Sequence, residues 1–433
     1  MLPSRAQTLH HLHGTFYAPS STHDTPNHFQ GDLTMSESPN KPYTAIATTL
    51  ACTFALLLAT LLTPANAHAL DDEHYAKAQT IIAKGIEYLR ATQNADGSWT
   101  PQYGPAVTAM VVQAMLSRPD ISPADPAMKK AIDFLLSKAK DDGGIHDGFL
   151  ENYNTAIVLS ALSNVTGRAD AAVAVAKAQN YLRGMQWHDQ KDPKGKLVDP
   201  SHPFYGGAGY GKHGRPDMSN TQFMLEGLHE SGLDCNDPAF QRALAFISRC
   251  QASDANDSPI RKQLSNDGGF IYATSIDKEN IGVPETKAGT YTIDNPETGP
   301  VTVLRSYGSM TYAGFKSYLY ANLDRNDPRV TDALKWIKAN YAVDRNPGMP
   351  KDVAKQGHYY YLVTFSRAFK AWGRPTITTA DGKERDWAND LIDQLATTQS
   401  KDGSWTNEAD RWAEGDTNLT TAYALLALTT AVK

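Results

Sequence analysis

"KGIEYLRATQNADGSW" occupies residues 84–99, and "LATTQSKDGSW" at 395–405 rewrites its second half. In both copies a Gln is followed four residues on by Gly and six residues on by Trp: Gln93, Gly97 and Trp99, then Gln399, Gly403 and Trp405. A motif that carries chemistry is normally written once per domain. One written at both ends of a chain points to a repeated structural unit that needs the same joint each time. The first copy closes "YAKAQTIIAKGIEYLRATQ" (75–93), where Ile81, Ile82, Ile86 and Leu89 fall at helical spacing and Lys77, Lys84, Glu87 and Arg90 take the other side. That pattern predicts an amphipathic outer helix. The next stretch, "AVTAMVVQAMLS" (106–117), is apolar nearly all round and predicts a buried inner helix.

The pair recurs along the chain. Further outer helices are expected near 126–140, 170–186, 237–251, 327–341 and 385–399, and inner helices near 152–163, 218–231, 307–322, 358–372 and 416–430. Asp-Pro opens three of the outer set (Asp125-Pro126, Asp237-Pro238, Asp327-Pro328), an N-cap followed by Pro at the first helical position. The expected fold class is all-α, an α6/α6 toroid of six helical hairpins with inner and outer rings around a central cavity. An open solenoid would leave one apolar inner face wet.

The composition, 41% apolar and 20% charged, is that of a soluble globular protein, and a net charge of −6 gives no reason to expect nucleic acid as a partner. "AIATTLACTFALLLATLLTPANAHA" (45–69) is an apolar run preceded by Lys41 and closed by small residues, and reads as a secretory signal peptide cleaved after Ala67 or Ala69. Met35 is a more natural start than Met1. The expected organisation is an untranslated or disordered extension over 1–34, the signal peptide over 35–69, and one toroid domain over 70–433 with insertions at 187–216 and 252–304. Such a protein is exported, periplasmic or secreted, with no stable membrane span after cleavage. Cys235 and Cys250 lie near opposite ends of one expected helix, roughly 20 Å apart at 1.5 Å per residue. A disulfide needs about 7 Å or less, so two free thiols are expected.

Residues 84–99 fit throughout the QW motif of squalene–hopene cyclases and related terpenoid cyclases: basic, Gly, two variable, aromatic, Leu, three variable, Gln, three variable, Gly, one variable, Trp. "GGI" at 143–145 and "GGF" at 268–270 echo its close. The chain thus resembles the squalene cyclase and prenyltransferase superfamily over roughly residues 70–433. The resemblance implies the α6/α6 toroid, and for Gln93, Trp99, Gln399 and Trp405 it implies a structural clasp between neighbouring hairpins. If the chain is an enzyme, it implies cyclase-like (isomerase) or transferase-like chemistry.

The same resemblance exposes a gap. Where these cyclases open an inner helix with Asp-x-Asp-Asp-Thr and use the middle Asp as general acid, this chain reads "DMSNT" (217–221), with Asp217 and Thr221 kept but Ser219 and Asn220 between them. A serine hydroxyl cannot protonate an alkene. "ENYNTA" (151–156) and Asp416 with Thr420 repeat the acid-to-Thr pattern, and acids there also serve as helix caps. The zinc-binding Asp-x-Cys of the prenyltransferase branch and the Cys-Gly-Glu-Gln of complement thioester domains are absent. Two expected inner helices, "RSYGSMTYAGFKSYLYANL" (305–323) and "GHYYYLVTFSRAF" (357–369), are rich in tyrosine. Aromatic faces there suit a cationic intermediate, and phenols beside His358 suit acid–base work.

The candidate catalytic residues are therefore Asp217, Ser219, Tyr307, His358 and Tyr359, with Asn154, Asn220, Arg305, Tyr312, Tyr360 and Asp416 as candidate ligand-binding residues. No metal and no cofactor are expected: His188, His202 and His213 with Asp189 and Asp217 fit no standard spacing. Three functional readings stay open. The toroid binds or transforms a hydrophobic molecule such as an isoprenoid; it is a non-catalytic binding or scaffold module of the cell envelope, its partner an envelope component; or it acts on a polysaccharide through a Tyr/His pair. A mostly apolar cavity lining favours the first, and a polar, cation-rich one the third.

Overall fold

The computed structural model describes residues 70–295 and 299–433. The expected signal peptide and its cleavage sites lie outside the described residues.

Among those residues there are twelve α-helices. The outer set is α1 (Asp72–Ala91), α3 (Pro126–Ser137), α5 (Ala169–Met185), α7 (Pro238–Arg249), α9 (Pro328–Ala339) and α11 (Trp387–Thr398). The inner set is α2 (Ala106–Leu116), α4 (Glu151–Leu162), α6 (Met218–Glu230), α8 (Gly308–Tyr320), α10 (His358–Trp372) and α12 (Thr417–Ala431). Asp125, Asp237 and Asp327 each accept a hydrogen bond from the backbone N–H two residues on, at 2.9–3.0 Å, with Pro at the first helical position. Local sequence thus fixes where these three outer helices begin. Two antiparallel hairpins complete the description, β1 (Thr290–Asn295) with β2 (Gly299–Leu304), and β3 (Thr376–Thr378) with β4 (Glu384–Asp386). No helix among the described residues is long and apolar enough to cross a membrane.

Each inner helix packs against the next inner helix, and α12 packs back against α2, so the six close a ring. This is the α/α toroid. The hairpins pair differently from the order in which the sequence presents them: inner α2, α4, α6, α8 and α10 each pack on the outer helix that follows, and α1 packs on α12 and α11. The two ends of the toroid are therefore each other's partners. Tyr88 donates to Thr417 Oγ1 (2.6 Å) and Thr92 to Asn418 Oδ1 (2.8 Å) across that seam.

The joints explain the repeated motif. Gln93 Nε2 donates to Gly97 O (3.0 Å) and to Ala127 O (2.9 Å) at the start of α3, while the buried Trp99 donates its indole N–H to Leu89 O (2.7 Å). At the far end Gln399 Nε2 donates to Gly403 O (2.9 Å) and to Ile81 O of α1 (2.8 Å), and Trp405 to Leu395 O (2.8 Å). Gly97, at φ +91°, lets its backbone approach α3 so closely that a Cβ there would lie 2.4 Å from Lys130 O; only glycine fits.

The same clasp occurs twice more, disguised. Gln186 Nε2 donates to Gly206 O and Ala239 O, both at 2.9 Å, and Gln251 Nε2 to Gly268 O (3.1 Å) and Arg329 O (2.8 Å). Here residues 187–205 and 252–267 stand where the first joint has three residues. A threonine on the following inner helix receives the backbone N–H two residues after each of the four joint glycines, and after Gly143 of the "GGI" echo: Thr108, Thr155, Thr221, Thr311 and Thr421, at 2.9–3.1 Å. Thr221 is thus part of a fivefold structural device. Cys235 and Cys250 are both free, the latter buried.

Candidate functional site

The first turns of all six inner helices converge on one cavity of about 220 Å³. Ala106 and Val107 come from α2, Tyr153 from α4, Ser219 and Phe223 from α6, Ser309 and Met310 from α8, Tyr360 from α10, and Leu419 and Tyr423 from α12. The lining is apolar and aromatic, with Tyr103, Tyr210, Tyr272, Tyr307 and Trp412 completing the walls and mouth. Burial pushes the Tyr153 phenol up to about 12 and that of Tyr307 well above its ordinary value, so both stay neutral donors at physiological pH. Leu150, Trp412 and Ala413, which line the cavity, have positive φ (+50°, +62° and +65°), a left-handed backbone that non-glycine residues adopt at a cost. Such strain gathers where a site over-determines the chain.

Below the cavity the ring is sealed by charge. Glu226 of α6 receives Lys316 Nζ (2.9 Å) from α8 and Arg367 Nη1 (2.8 Å) from α10, and Arg367 Nη2 donates to Gln113 of α2 (2.9 Å). All four side chains are buried.

One carboxylate lines the cavity: Glu414, on the segment before α12. It receives the Tyr360 N–H on Oε1 (2.8 Å), and Oε2 takes the Tyr359 N–H (3.3 Å) and the Asn407 amide (2.6 Å). These bonds fix its orientation at the N-terminus of α10. Burial pushes the carboxyl up to about 7, with the Tyr360, Asn407 and Tyr359 donors pulling the other way. A group poised near neutral pH in an apolar pocket can give or accept a proton there.

The sequence candidates divide in the structure. Ser219, Tyr307 and Tyr360 line the cavity, and Ser219 Oγ lies 3.2 Å from Tyr360 Oη. Asp217 stands behind the wall as the fully buried N-cap of α6, accepting from Asn220 N (2.9 Å) and from the Asn220 amide; burial raises its carboxyl and Arg215 opposes that rise. Asn220 is thereby committed to Asp217. Asn154 caps α2 by accepting the Ala106 N–H (3.1 Å), and Asp416 caps α12 by accepting that of Leu419 (2.9 Å). His358 is buried with Nε2 on Val343 O (2.9 Å), and burial lowers its ring to about 4, so it stays neutral. Tyr359 reaches the site through its backbone N–H to Glu414, Tyr312 packs edge-on against Tyr361 in the core, and Arg305 lies over the Tyr291 ring (4.7 Å). None of these last eight side chains is among those lining the cavity. Among the described residues no group of three or more His, Cys, Asp or Glu could hold a metal ion.

Sequence reasoning missed Glu414, because the segment that bears it has no helical period. It also passed over Tyr210, Tyr272 and Lys287, which the two insertions bring to the cavity.

An α/α toroid with an aromatic cavity at the inner-helix starts defines the class. The family model for the squalene–hopene cyclase C-terminal domain matches residues 62–148. A protein of Sinorhizobium fredii named "Probable squalene--hopene cyclase" is 28% identical over 136 residues, 27% of this chain and 21% of the relative. Lanosterol synthase erg7A of Aspergillus fumigatus is 28% identical over 99 residues, 22% of this chain and 13% of the relative. The matched segments thus span about a fifth and an eighth of these relatives. Among solved structures, the GH76A alpha-1,6-mannanase of Salegentibacter sp. HEL1_6 shares the fold at TM-score 0.50 and 10% identity, covering 83% of this chain and 98% of that one. The family model, the two relatives and the QW motif support the squalene cyclase and terpenoid cyclase QW-repeat superfamily.

Proposed function

We propose that the toroid binds a hydrophobic molecule in its aromatic cavity and moves a proton on it through Glu414, as a cyclase-like or isomerase-like enzyme. The observation that carries this reading is a single oriented carboxyl, titrating near 7, in a pocket otherwise lined by aromatic and aliphatic groups. It stands in for the acid that Ser219 cannot supply. A carboxyl with a pKa of about 7 is a weaker acid than protonation of an isolated alkene asks for. It suits a substrate with a more responsive centre, such as an epoxide oxygen or a carbon next to a carbonyl. Tyr153, Tyr307 and Tyr360 present ring faces and phenol donors to charge that develops there.

The lining also weighs against the polysaccharide reading, since His358 of its Tyr/His pair is held on Val343 O and is not among the cavity-lining residues, and the lining is mostly apolar and aromatic with Lys287 as its one cation. The export expected from residues 45–69 is part of the proposal; N-terminal sequencing of protein recovered outside the cytoplasm is expected to start near residue 68 or 70, and a different start or a cytosolic location would contradict it.

The test is solvent-deuterium incorporation into the molecule extracted with the protein, with the wild-type chain and E414Q compared. Incorporation that is lost in E414Q while the molecule stays bound supports proton transfer. Equal incorporation in both chains removes Glu414 from the chemistry, and none in either leaves a binding module.

A further inference from the structure

We propose that the molecule bound in this cavity carries an anionic group, a carboxylate or phosphate on an apolar body, and that Lys287 receives it. The inference rests on the reading of the cavity as a ligand site and names the class of ligand. Lys287 is the cation among the cavity-lining residues, and it comes from the second insertion. Its Nζ lies 4.5 Å from the centre of the Tyr272 ring, itself part of the wall. Arg215, from the end of the first insertion, lies 5.2 Å from that same ring centre.

The charge count singles out this corner. Lys287 and Arg215 share one carboxylate, Glu285: Lys287 Nζ pairs with Oε1, and Arg215 Nη2 with Oε2 at 3.2 Å. Within this trio two cations face one anion; Asp217 also interacts with Arg215, but burial raises its carboxyl toward the neutral form. Arg215 Nη1 is buried with no hydrogen-bond partner, and a buried unpartnered guanidinium nitrogen is costly. By drawing on Glu285, Arg215 leaves Lys287 only partly neutralised, so Arg215 is a positioning residue. An apolar cavity with one under-neutralised lysine in its wall fits an amphiphile whose single charge is negative.

The experiment is calorimetric titration of the toroid with farnesoic acid and with farnesol, which share one tail and differ in charge. At pH 6 Glu414 largely keeps its proton while the acid is ionised. The acid is expected to bind at least about tenfold tighter than the alcohol, roughly the worth of one charge-assisted hydrogen bond. K287M is expected to abolish that preference with farnesol affinity unchanged, R215M to reduce it, and E285Q, which releases both cations, to enlarge it. A packing role for Lys287 would weaken both ligands alike. Equal affinities for acid and alcohol in the wild-type chain, or a K287M preference equal to wild type, overturn the inference while the hydrophobic-ligand reading stands. Binding of neither ligand overturns both. If K287M fails to fold, E285Q alone decides, since the proposal requires a larger preference and an unchanged one contradicts it.

Discussion

The joints at Gln93 and Gln399 are compact, with three residues between Gln and Gly, while those at Gln186 and Gln251 are opened by residues 187–205 and 252–267. All four make the same pair of amide-to-carbonyl hydrogen bonds. Their outward products differ. The compact joints each bury a tryptophan; the expanded ones keep the clasp around their inserts. The chain that follows the joint glycines lines the cavity in both kinds, with Tyr103, Trp412 and Glu414 after the compact joints and Tyr210, Tyr272 and Lys287 after the expanded ones. A toroid can thus take long inserts at a joint without altering the contacts that close it, because loop length at a fixed clasp costs little.

The largest expected effect belongs to a compact joint. Trp405 is fully buried and packs on Gly85 of α1, so W405A leaves a void at the seam where the two ends of the toroid meet. A loss of about 3–5 kcal/mol is expected in denaturant unfolding, and a loss under about 1 kcal/mol would break the claim that this joint holds the ring.

Next comes a pH effect at the site. Burial raises the Glu414 carboxyl from its ordinary value of 4.5 to about 7. The folded chain therefore binds more protons than the unfolded one between those values, and stability falls as pH rises through that window. The fall is about 3 kcal/mol, complete above pH 7. Unfolding free energies from pH 4 to 8 are expected to show this slope in the wild-type chain and a flatter one in E414Q.

An expanded joint gives the third test. Q251A removes two hydrogen bonds to buried carbonyl groups and leaves Tyr318 Oη and Asn256 without the Gln251 Oε1 acceptor. About 2 kcal/mol is expected, and a negligible cost would show that the long loops, and not the clasp, hold this joint. The smallest stability effect is expected at Tyr210, which is exposed at the cavity mouth. Y210A should change unfolding by less than about 1 kcal/mol while weakening ligand binding several-fold. A large loss of stability there would mean that the insertions, too, are structural.

Much of the toroid was legible because periodicity is local. The amphipathic stripe of α1 and the all-apolar α2 announce their places, and each expected helix falls within a few residues of its place in the structure. What the chain order could not show was that α1 rests on α12, a contact between residues more than 300 positions apart. Gln186 and Gln251 were hidden by the residues inserted after them. The site was less legible. Ser219, Tyr307 and Tyr360 were visible because inner-helix starts must converge, whereas Asp217, Asn154 and Asp416 show that polar residues at those starts also serve as caps. Glu414 sits in irregular chain beside Trp412 and Ala413, both in left-handed conformation, and no period marks such a segment.

The most direct test of the central claim is native mass spectrometry of residues 70–433 recovered from the producing cell, run beside S219W, whose indole would occupy the cavity. The account predicts one apolar molecule per wild-type chain and none on the filled variant. An empty wild-type chain, or a molecule that S219W retains, would contradict it.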